Sequence, residues 1–296
     1  MIIDVHSHVY ARPVLSKPGR PDLTFLSVEQ QLQRMDEKGV DMAVVLPLNS
    51  AEAPAERQSP GEVLSLCEQH PDRLIPFLDL DPRRPDWRDR EHFTWALQLY
   101  REAGFKGMGE MTTRLPFDDP RMMALFGACE TVGLSVTFHT APAEVVSYGI
   151  IDALGMPRLE KVLRTFPELR FFGHSASFWS EISGDLTAQT KEGYPKGPVA
   201  PGGTLVRLFR QYPQLNGDIS AGSGFNALTR DPAFTYEFVD EFQDRLMLGL
   251  DHTDMTIDFQ HIEWLTAQRD EGHITTEVLE KILWRNANRL IGLGLE

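Results

Sequence analysis

The chain has little that would cross-link it or carry it across a membrane. It contains only two cysteines, Cys67 and Cys129, both in apolar stretches typical of buried helices. We therefore expect free thiols in a reducing compartment rather than a disulfide. No apolar run approaches the ~18 residues of a membrane helix. The first residues show neither the basic nor the apolar segment of a secretory signal, so we expect a cytoplasmic protein.

Positive charge is also scarce. The 296 residues include 29 Lys and Arg against 43 Asp and Glu, which gives a formal net charge of −14, and no basic run occurs. Such a chain is unsuited to binding nucleic acid through its overall field. We expect a small-molecule partner and no nucleic-acid or membrane partner. A homodimer is a common arrangement for such proteins, but the sequence does not reveal the oligomeric state.

What the chain does have is a regular alternation of short apolar runs and helical stretches. The runs are apolar on both faces, as in parallel strands covered by helices on both sides. Helix boundaries are marked by residues such as Ser27 at a start and Gly39 at an end. Eight strand–helix units precede a last helix from Thr275 to Leu293. This order predicts a (β/α)8 TIM barrel with a C-terminal helix, one domain over residues 1–296. A doubly wound open sheet is the alternative.

Two connections are long for a compact domain, residues 9–26 and 175–202. Loops of this length are usually functional. Both would lie at the C-terminal ends of the strands, where a lid or specificity loop belongs, although simple surface insertions are the alternative. Trp179, in the second loop, is expected to line the pocket wall.

Four predicted strands end in side chains that bind metals. His6 and His8 lie two residues apart on the first strand, so their imidazoles point the same way. Three later strands each end in one such residue, namely His139, His174 and Asp251. In an α/β barrel these strand ends converge on one face, where the active site is built. The sequence therefore predicts a metal centre on that face.

Imidazoles combined with a carboxylate suit Zn²⁺, with Mn²⁺ or Fe²⁺ as alternatives. We expect one ion, and the residues leave room for a second. A buried, unpaired carboxylate is unfavourable, so Asp251 needs a cation or a strong donor. As a ligand that also accepts a hydrogen bond from a bound water, Asp251 would serve as the general base.

Glu110 ends the strand Gly107-Met108-Gly109-Glu110 and has two interpretations. Pointing inward, it would bridge two metals or shuttle a proton, and we include it among the metal ligands on that basis. Pointing outward, it would cap the following loop. Asp4 shares the face of His6 and His8, where it either orients an imidazole or forms a hydrogen bond at the barrel bottom.

Several further polar residues are weaker candidates. Asp218 and Ser220 alternate on the seventh strand and are placed to face the barrel. Arg114 is a candidate for contact with a substrate carboxylate, and His252 for the mouth of the site. The remaining histidines are expected at the surface, in helices or turns: His70, His92, His261 and His273.

These strand ends resemble the amidohydrolase superfamily, specifically its amidohydrolase-2 branch of TIM-barrel metal-dependent hydrolases and decarboxylases. The resemblance rests on Asp4-Val5-His6-Ser7-His8, His139, His174 and Asp251. The segment from Trp284 to Leu293 is similar to the C-terminal helix of that branch. The similarity spans the whole chain and is more specific for the superfamily than for any one reaction.

The resemblance implies a role for each of these residues. His6 and His8 would be the first-strand ligands, His139 the fifth-strand ligand, and Asp251 the eighth-strand ligand and proton acceptor. His174 would polarise substrate or move protons in a mononuclear site, or bind the second metal in a binuclear one. Glu110 resembles the bridging glutamate of a related deoxyribonuclease group. The branch usually follows its aspartate with an aromatic residue and proline, whereas this chain has Asp251-His252-Thr253-Asp254.

Two reactions fit this site. In the first, metal-activated water attacks a carbonyl, lactone or ester of a small organic substrate. Asp251 then takes the proton, and His174 stabilises the oxyanion or protonates the leaving group. The alternative is metal-dependent non-oxidative decarboxylation of an aromatic or unsaturated carboxylic acid. Glu110 favours hydrolysis, and a barrel that binds metal without turnover is the third interpretation.

Overall fold

The computed structural model describes residues 1–16, 20, 22–53, 56–84, 89–145 and 148–296. In these residues the strands are β1 (Ile3–Ser7), β2 (Val9–Tyr10), β3 (Val14–Leu15), β4 (Thr24–Ser27), β5 (Met42–Val45), β6 (Leu74–Leu78), β7 (Gly107–Met111), β8 (Ser135–Ala141), β9 (Ile150–Ile151), β10 (Phe171–His174), β11 (Leu215–Asp218) and β12 (Leu246–Met247).

The helices lie between and after these strands. They are α1 (Val28–Lys38), α2 (Pro60–Gln69), α3 (Arg90–Glu102), α4 (Pro120–Val132), α5 (Pro157–Thr165), α6 (Ala176–Ser180), α7 (Thr204–Gln211), α8 (Ala221–Thr229), α9 (Pro232–Phe242), α10 (His261–Asp270), α11 (Thr276–Glu280) and α12 (Asn286–Ile291), with a π-helical segment (Lys281–Arg285) joining the last two.

Eight strands form the barrel. They pair in parallel in the order β1, β5, β6, β7, β8, β10, β11 and β12. The two ends of this sheet meet, because the Val5 N–H donates to the Leu248 carbonyl and the Asp251 N–H donates to the His6 carbonyl, each over 2.9 Å. The predicted (β/α)8 TIM barrel is confirmed, and the open doubly wound sheet is wrong.

Helix α1 shows how local sequence fixes the frame around β1. The Ser27 hydroxyl accepts a hydrogen bond from the Gln30 N–H, and the Gln30 side chain accepts one from the Ser27 N–H at 3.0 Å. This reciprocal cap satisfies two donors at the helix start. Gly39 ends the helix at φ 69°, a left-handed conformation that glycine adopts without a Cβ penalty. Both predicted boundaries of this helix are confirmed.

The outer face of the sheet is covered by aromatic rings that fix β8 and β10. Phe138 on β8 packs edge to face against Phe178 at a centroid distance of 5.7 Å and against Phe117 at 5.1 Å. Phe171 on β10 contacts Phe126 of α4 at 5.4 Å. Each fully buried ring contributes about 1.5–3 kcal/mol. This packing positions β8 and β10, the two strands that carry His139 and His174.

The two long connections contain more structure than expected. Residues 9–26 contain β2, β3 and the start of β4, which form a small three-stranded sheet, although 17–19 and 21 lie outside the described residues. The connection 175–202 begins with α6. The helical stretch predicted near 224–243 is two helices, α8 and α9, with Pro232 beginning the second. The helix predicted from 87 begins at Arg90, and 87–88 lie outside the described residues.

Cys67 and Cys129 are free and buried, as predicted. The surface position expected for His261 is wrong, because this ring is fully buried between Phe225 and Phe259. Within the described part of the chain, every helix is too short or too polar to span a membrane.

Candidate metal centre

Three imidazoles and two carboxylates meet at the mouth of the barrel, defined here as the C-terminal ends of its strands. Pairs among them lie 3.4–3.8 Å apart, although the residues are up to 245 positions apart in the sequence. The contributing side chains are His6 of β1, His8 just after it, Glu110 of β7, His174 of β10 and Asp251 after β12. The structure thus brings the predicted strand ends together.

Two of the imidazoles, those of His6 and His8, face the same two carboxylate oxygens. His8 Nε2 lies 3.4 Å from both Glu110 Oε2 and Asp251 Oδ1. His6 Nε2 lies 3.6 Å and 3.8 Å from the same two oxygens. Ligand atoms placed ~2.1 Å from an ion in a tetrahedron would be about 3.4 Å apart. The spacing is long for a hydrogen bond but suits atoms that share one ion.

The Nδ1 side of each imidazole is held so that its Nε2 atom faces these two carboxylate oxygens. His8 Nδ1 donates to the Leu46 carbonyl at 2.8 Å. His6 Nδ1 lies 2.6 Å from Asp218 Oδ2, so the N–H at this position donates to the carboxylate. A hydrogen bond at one ring nitrogen fixes which nitrogen is left to bind metal. Asp218, a weak candidate in the sequence, is therefore a positioning residue for His6.

Two buried atoms at the centre lack a hydrogen-bond partner among the described residues, His6 Nε2 and Asp251 Oδ1. Leaving such atoms unpaired is unfavourable. Burial lowers the pKa of His6, but the carboxylates of Asp218, Asp251 and Glu110 outweigh it and hold this pKa well above its ordinary value. The centre thus attracts positive charge, and its donor set fits a divalent cation.

His174 lies beside this set. Its Nε2 is 3.8 Å from Asp251 Oδ2, and its Nδ1 is 2.8 Å from the Ser220 hydroxyl. Burial, followed by repulsion from His6, lowers the pKa of His174 to about 4. The imidazole is therefore neutral at pH 7, and its Nε2 is available to an ion or to a substrate.

His139 occupies a different position. Its Nδ1 lies 3.0 Å from Glu110 Oε1, the oxygen that is not directed at His6 and His8. Donor atoms of Glu110, His139 and His174 also lie within 4.8 Å of one another. The predicted role of His139 as a ligand therefore remains a prediction. Glu110 points inward, which favours the first of its two interpretations.

The position of Asp218, which holds His6, requires a glycine at position 249. A Cβ at Gly249 would lie 2.3 Å from Asp218 Oδ1 and 2.6 Å from the Ser220 Cβ. No side chain fits there unless Asp218 moves. Trp179 completes this layer by donating from Nε1 to the Asp218 carbonyl at 2.9 Å. The pocket-wall position predicted for Trp179 is wrong, because the ring is buried behind the site.

We predict that Gly249→Ala lowers metal affinity about 10–100-fold, the usual effect of disturbing a carboxylate that orients a histidine ligand. The methyl group would displace Asp218 and release His6. Competition with a chromophoric chelator measures this affinity. Gly61→Ala is the control, because a Cβ there meets only Ser59 Oγ at 3.9 Å. Equal affinities in the two variants would contradict the role of Asp218.

Two candidates have other tasks. Arg114 donates to the carbonyls of Gly149 at 3.2 Å, and of Pro142 and Ala143 at 3.1 Å each. Its guanidinium is therefore engaged with the backbone. Asp4 Oδ1 accepts the N–H groups of His6 and Leu250, so it supports the backbone rather than an imidazole.

The aromatic residues at the mouth had no sequence signal, because they come from irregular segments. The Tyr148 ring lies 4.7 Å from the ring of His139. Tyr194 and Phe259 both lie over Gly222, where a Cβ would be 3.3 Å and 3.7 Å from their ring carbons. His252, predicted at the mouth, is buried and accepts the Phe259 N–H at 3.3 Å.

A family model described as amidohydrolase matches residues 3–293. A sequence comparison with curated proteins found no match.

Solved structures with the same fold include a probable 2-pyrone-4,6-dicarboxylic acid hydrolase from Acinetobacter baumannii (16% identity, TM-score 0.62, covering 98% of this chain and 99% of that chain). A 5-carboxyvanillate decarboxylase from Sphingomonas paucimobilis is 17% identical (TM-score 0.62, 98% of each chain). A 2,6-dihydroxybenzoate decarboxylase from Rhizobium is 15% identical (TM-score 0.60, 99% and 98%). At these identities the similarity shows a common fold.

Proposed function

This chain belongs to the amidohydrolase family, and we propose that it is a metal-dependent hydrolase of a small ester, lactone or related carbonyl compound. The observation that carries the proposal is the buried set of donor atoms spaced for one ion, with His6 Nε2 and Asp251 Oδ1 lacking any other described partner. This set lies at the C-terminal ends of the barrel strands, where α/β barrel enzymes have their active sites. We therefore favour a catalytic metal over a purely structural one.

In this proposal His6, His8, Glu110 and Asp251 hold the ion. Zn²⁺ is the proposed metal, since neutral imidazoles with carboxylates suit it, and Mn²⁺ or Fe²⁺ are the alternatives. When bound, the ion polarises a carbonyl and makes a bound water more acidic. The remaining chemistry falls to the side chains around it.

Asp251 is the proposed proton acceptor. Its Oδ1 faces His6 and His8, whereas its Oδ2 faces His174. Oδ2 is thus the oxygen left to accept a proton from the attacking water. Burial raises the pKa of Asp251, but the nearby imidazoles of His6, His8 and His174 hold it below its ordinary value, so the carboxylate is ionised and ready to act as a base.

His174 is proposed to stabilise charge on the substrate. If the Ser220 hydroxyl donates to Nδ1, the neutral ring carries its proton on Nε2 and can donate it to a developing oxyanion. The proton that Asp251 takes from the water is then the one that passes to the leaving group, so the neutral His174 ring keeps its own. With this tautomer, supported by the 2.8 Å contact to Ser220, His174 acts as a hydrogen-bond donor beside the general base.

Hydrolysis is preferred to decarboxylation on electrostatic grounds. The names of the structural neighbours include both reactions, and a decarboxylase must bind a carboxylate. Arg114, the cation expected to receive one, is engaged with three backbone carbonyls. Burial raises the pKa of Tyr194, and the carboxylates of Asp251 and Glu192 raise it further. An acidic mouth favours an uncharged substrate.

The test is a paired substrate screen of metal-loaded protein in ¹⁸O-labelled water. Small lactones and esters form one panel, and hydroxylated aromatic acids form the other. We expect turnover in the first panel with one ¹⁸O incorporated into the product carboxylate. Carbon dioxide release from the second panel without ¹⁸O incorporation would replace hydrolysis by decarboxylation. A single domain, a cytoplasmic location, a small-molecule partner and a homodimer stay predictions.

A further inference from the structure

We propose that Tyr194 and Tyr148 bind a planar apolar group of the substrate, such as a phenyl ring, beside the metal centre. The inference rests on the proposed function and deepens it, because it assigns the substrate to the esters or lactones that carry an aromatic ring. It also names two specificity-determining residues that the proposed reaction does not use.

Tyr194 presents an open aromatic ring at the mouth. The residue is 55% exposed, and its hydroxyl makes no hydrogen bond to any residue that the structure describes. One edge of the ring rests on α8, since a Cβ at Gly222 would lie 3.3 Å from Tyr194 Cε1 and 3.7 Å from a ring carbon of Phe259. The Asn226 side chain donates to the Pro195 carbonyl at 3.1 Å, which holds the adjoining backbone to the same helix. The ring is therefore fixed at one edge and open on the rest of its surface.

The helix on which Tyr194 rests also supports the centre. α8 begins directly after Ser220, whose hydroxyl lies 2.8 Å from His174 Nδ1. Gly222, the contact point of the Tyr194 ring, is two residues further along. The ring is thereby held at a set place relative to the donor atoms of the centre, as a side chain that selects substrates must be.

Tyr148 stands beside β8. Its ring lies 4.7 Å from the ring of His139, at an interplanar angle of 60°. The next residue, Gly149, packs on the same imidazole, since a Cβ there would lie 2.9 Å from His139 Cδ2. Arg114 donates to the Gly149 carbonyl at 3.2 Å and to two carbonyls earlier in the segment at 3.1 Å each. These contacts fix the backbone that carries the Tyr148 ring.

The two rings border one acidic space. Burial raises the pKa of Tyr194, and the carboxylates of Asp251 and Glu192 raise it further. Burial also raises the pKa of Tyr148, followed by Glu110 and by the same two carboxylates that act on Tyr194. Groups that respond to the same charges lie within electrostatic reach of them. Both tyrosines therefore face the region around the centre.

This combination of rings and carboxylates selects the ligand. Aromatic rings pair by offset stacking or edge to face, and such a pair is more favourable than the apolar area it buries. The carboxylates repel an anion. A divalent ion in the centre offsets the charges of Glu110 and Asp251, which leaves little to attract a cation. The walls thus fit an uncharged planar ring, and an ammonium group, which also binds aromatic faces, is the competing occupant.

The first experiment measures the binding of three ketones to the metal-loaded protein: phenylacetone, cyclohexylacetone and acetonyltrimethylammonium. They share the acetonyl group and differ in carrying a planar ring, a puckered ring or a cation, and a ketone is not hydrolysed. Isothermal titration calorimetry gives each Kd. Tyr194 and Tyr148 are each replaced by alanine, which removes the ring, and by phenylalanine, which keeps it. Trp95→Ala is the control, because Trp95 is a 63% exposed aromatic residue on the outer helix α3.

The second experiment follows the hydrolysis of methyl phenylacetate and methyl cyclohexylacetate by the same proteins. The two esters release the same alcohol, and a methylene group separates the ring from the carbonyl in both, so that their intrinsic reactivities are similar. Circular dichroism and metal content are measured on every variant first. A variant that loses metal is thereby distinguished from one that loses only a contact with the ring.

We expect the wild type to bind phenylacetone more tightly than cyclohexylacetone, although the saturated ring is the more hydrophobic. Tyr194→Ala and Tyr148→Ala should each weaken phenylacetone binding about 10-fold, whereas the phenylalanine variants and Trp95→Ala should bind it as the wild type does. In Tyr194→Ala the KM for methyl phenylacetate should rise with kcat unchanged, because a contact remote from the reacting bond is equally strong in the ground state and the transition state.

Equal binding of phenylacetone and cyclohexylacetone by the wild type would overturn the inference, as would a preference that survives both alanine variants. Tighter binding of acetonyltrimethylammonium would assign the mouth to a cationic group. Failure of the proposed function looks different. Preferred binding of phenylacetone without turnover of either ester would support the aromatic site and count against the hydrolase. Turnover of both esters at equal kcat/KM, with no preference among the ketones, would do the reverse.

Discussion

Asp251→Asn should lower kcat/KM about 10²–10⁴-fold, the range associated with removing a general base. The substitution keeps the shape of the side chain and removes its charge. Oδ1 faces His6 and His8 and has no other described partner, so metal affinity should fall together with activity. Steady-state kinetics and metal content, measured on the same preparation, test both effects.

Asp254→Asn is the matched control for this prediction. Asp254 lies three residues further along the same loop and is 7% exposed. Its Oδ1 accepts the Thr256 N–H at 2.8 Å, which an amide oxygen can also do. We expect wild-type metal content and activity in this variant. If Asp251→Asn behaved like Asp254→Asn, the centre would have been assigned to the wrong residues.

The position of Asp251 was predictable because the C-terminal ends of all strands in a parallel barrel lie on the same face. The side-chain period of two on β1 points His6 and His8 the same way. Parallel pairing then brings strand ends to one face, so that His174 and Asp251 arrive beside them. Each step uses only local periodicity and the order of elements, both of which are visible in the sequence.

The division of labour among these residues could not be predicted in the same way. Whether Glu110 faces inward depends on the local course of β7, and the sequence left both directions open. The tasks of Asp218 and Ser220 depend on contacts of 2.6 Å and 2.8 Å across strands. Strand periodicity indicates a face, but it does not indicate which partner a side chain meets there.

The way in which the connection 175–202 is held could not be predicted from the sequence either. It is anchored by an ion pair whose two residues follow no recognisable sequence pattern. Lys191 Nζ lies 2.5 Å from Glu181 Oε1 and 3.3 Å from the Ser177 carbonyl. The same Glu181 oxygen accepts the Gly155 N–H at 2.8 Å. Both charged residues are 1% exposed. This ion pair attaches the 175–202 connection to the barrel, and the same connection places Tyr194 at the mouth.

Lys191→Met should lower the free energy of unfolding by about 3–5 kcal/mol, because it leaves the Glu181 carboxylate buried without its cation. The melting temperature should fall on the order of 10 °C. Urea denaturation followed by circular dichroism measures the change. Adding Glu181→Gln should restore most of the loss, since the pair is then neutral and the amide oxygen can still accept the Gly155 N–H.

Arg210→Met provides the matched control for a lost ion pair. Arg210 binds Glu241 at 2.6 Å, but the two side chains are 61% and 41% exposed. Water screens such a pair, so its loss should change the unfolding free energy by about 1 kcal/mol or less. Two results would contradict the anchoring role of the Lys191–Glu181 pair. In the first, Lys191→Met lowers the free energy of unfolding no more than Arg210→Met does. In the second, the double variant is no more stable than Lys191→Met. Tyr194 would in either case be held at the mouth by its other contacts, such as the Asn226 side chain, which donates to the Pro195 carbonyl at 3.1 Å.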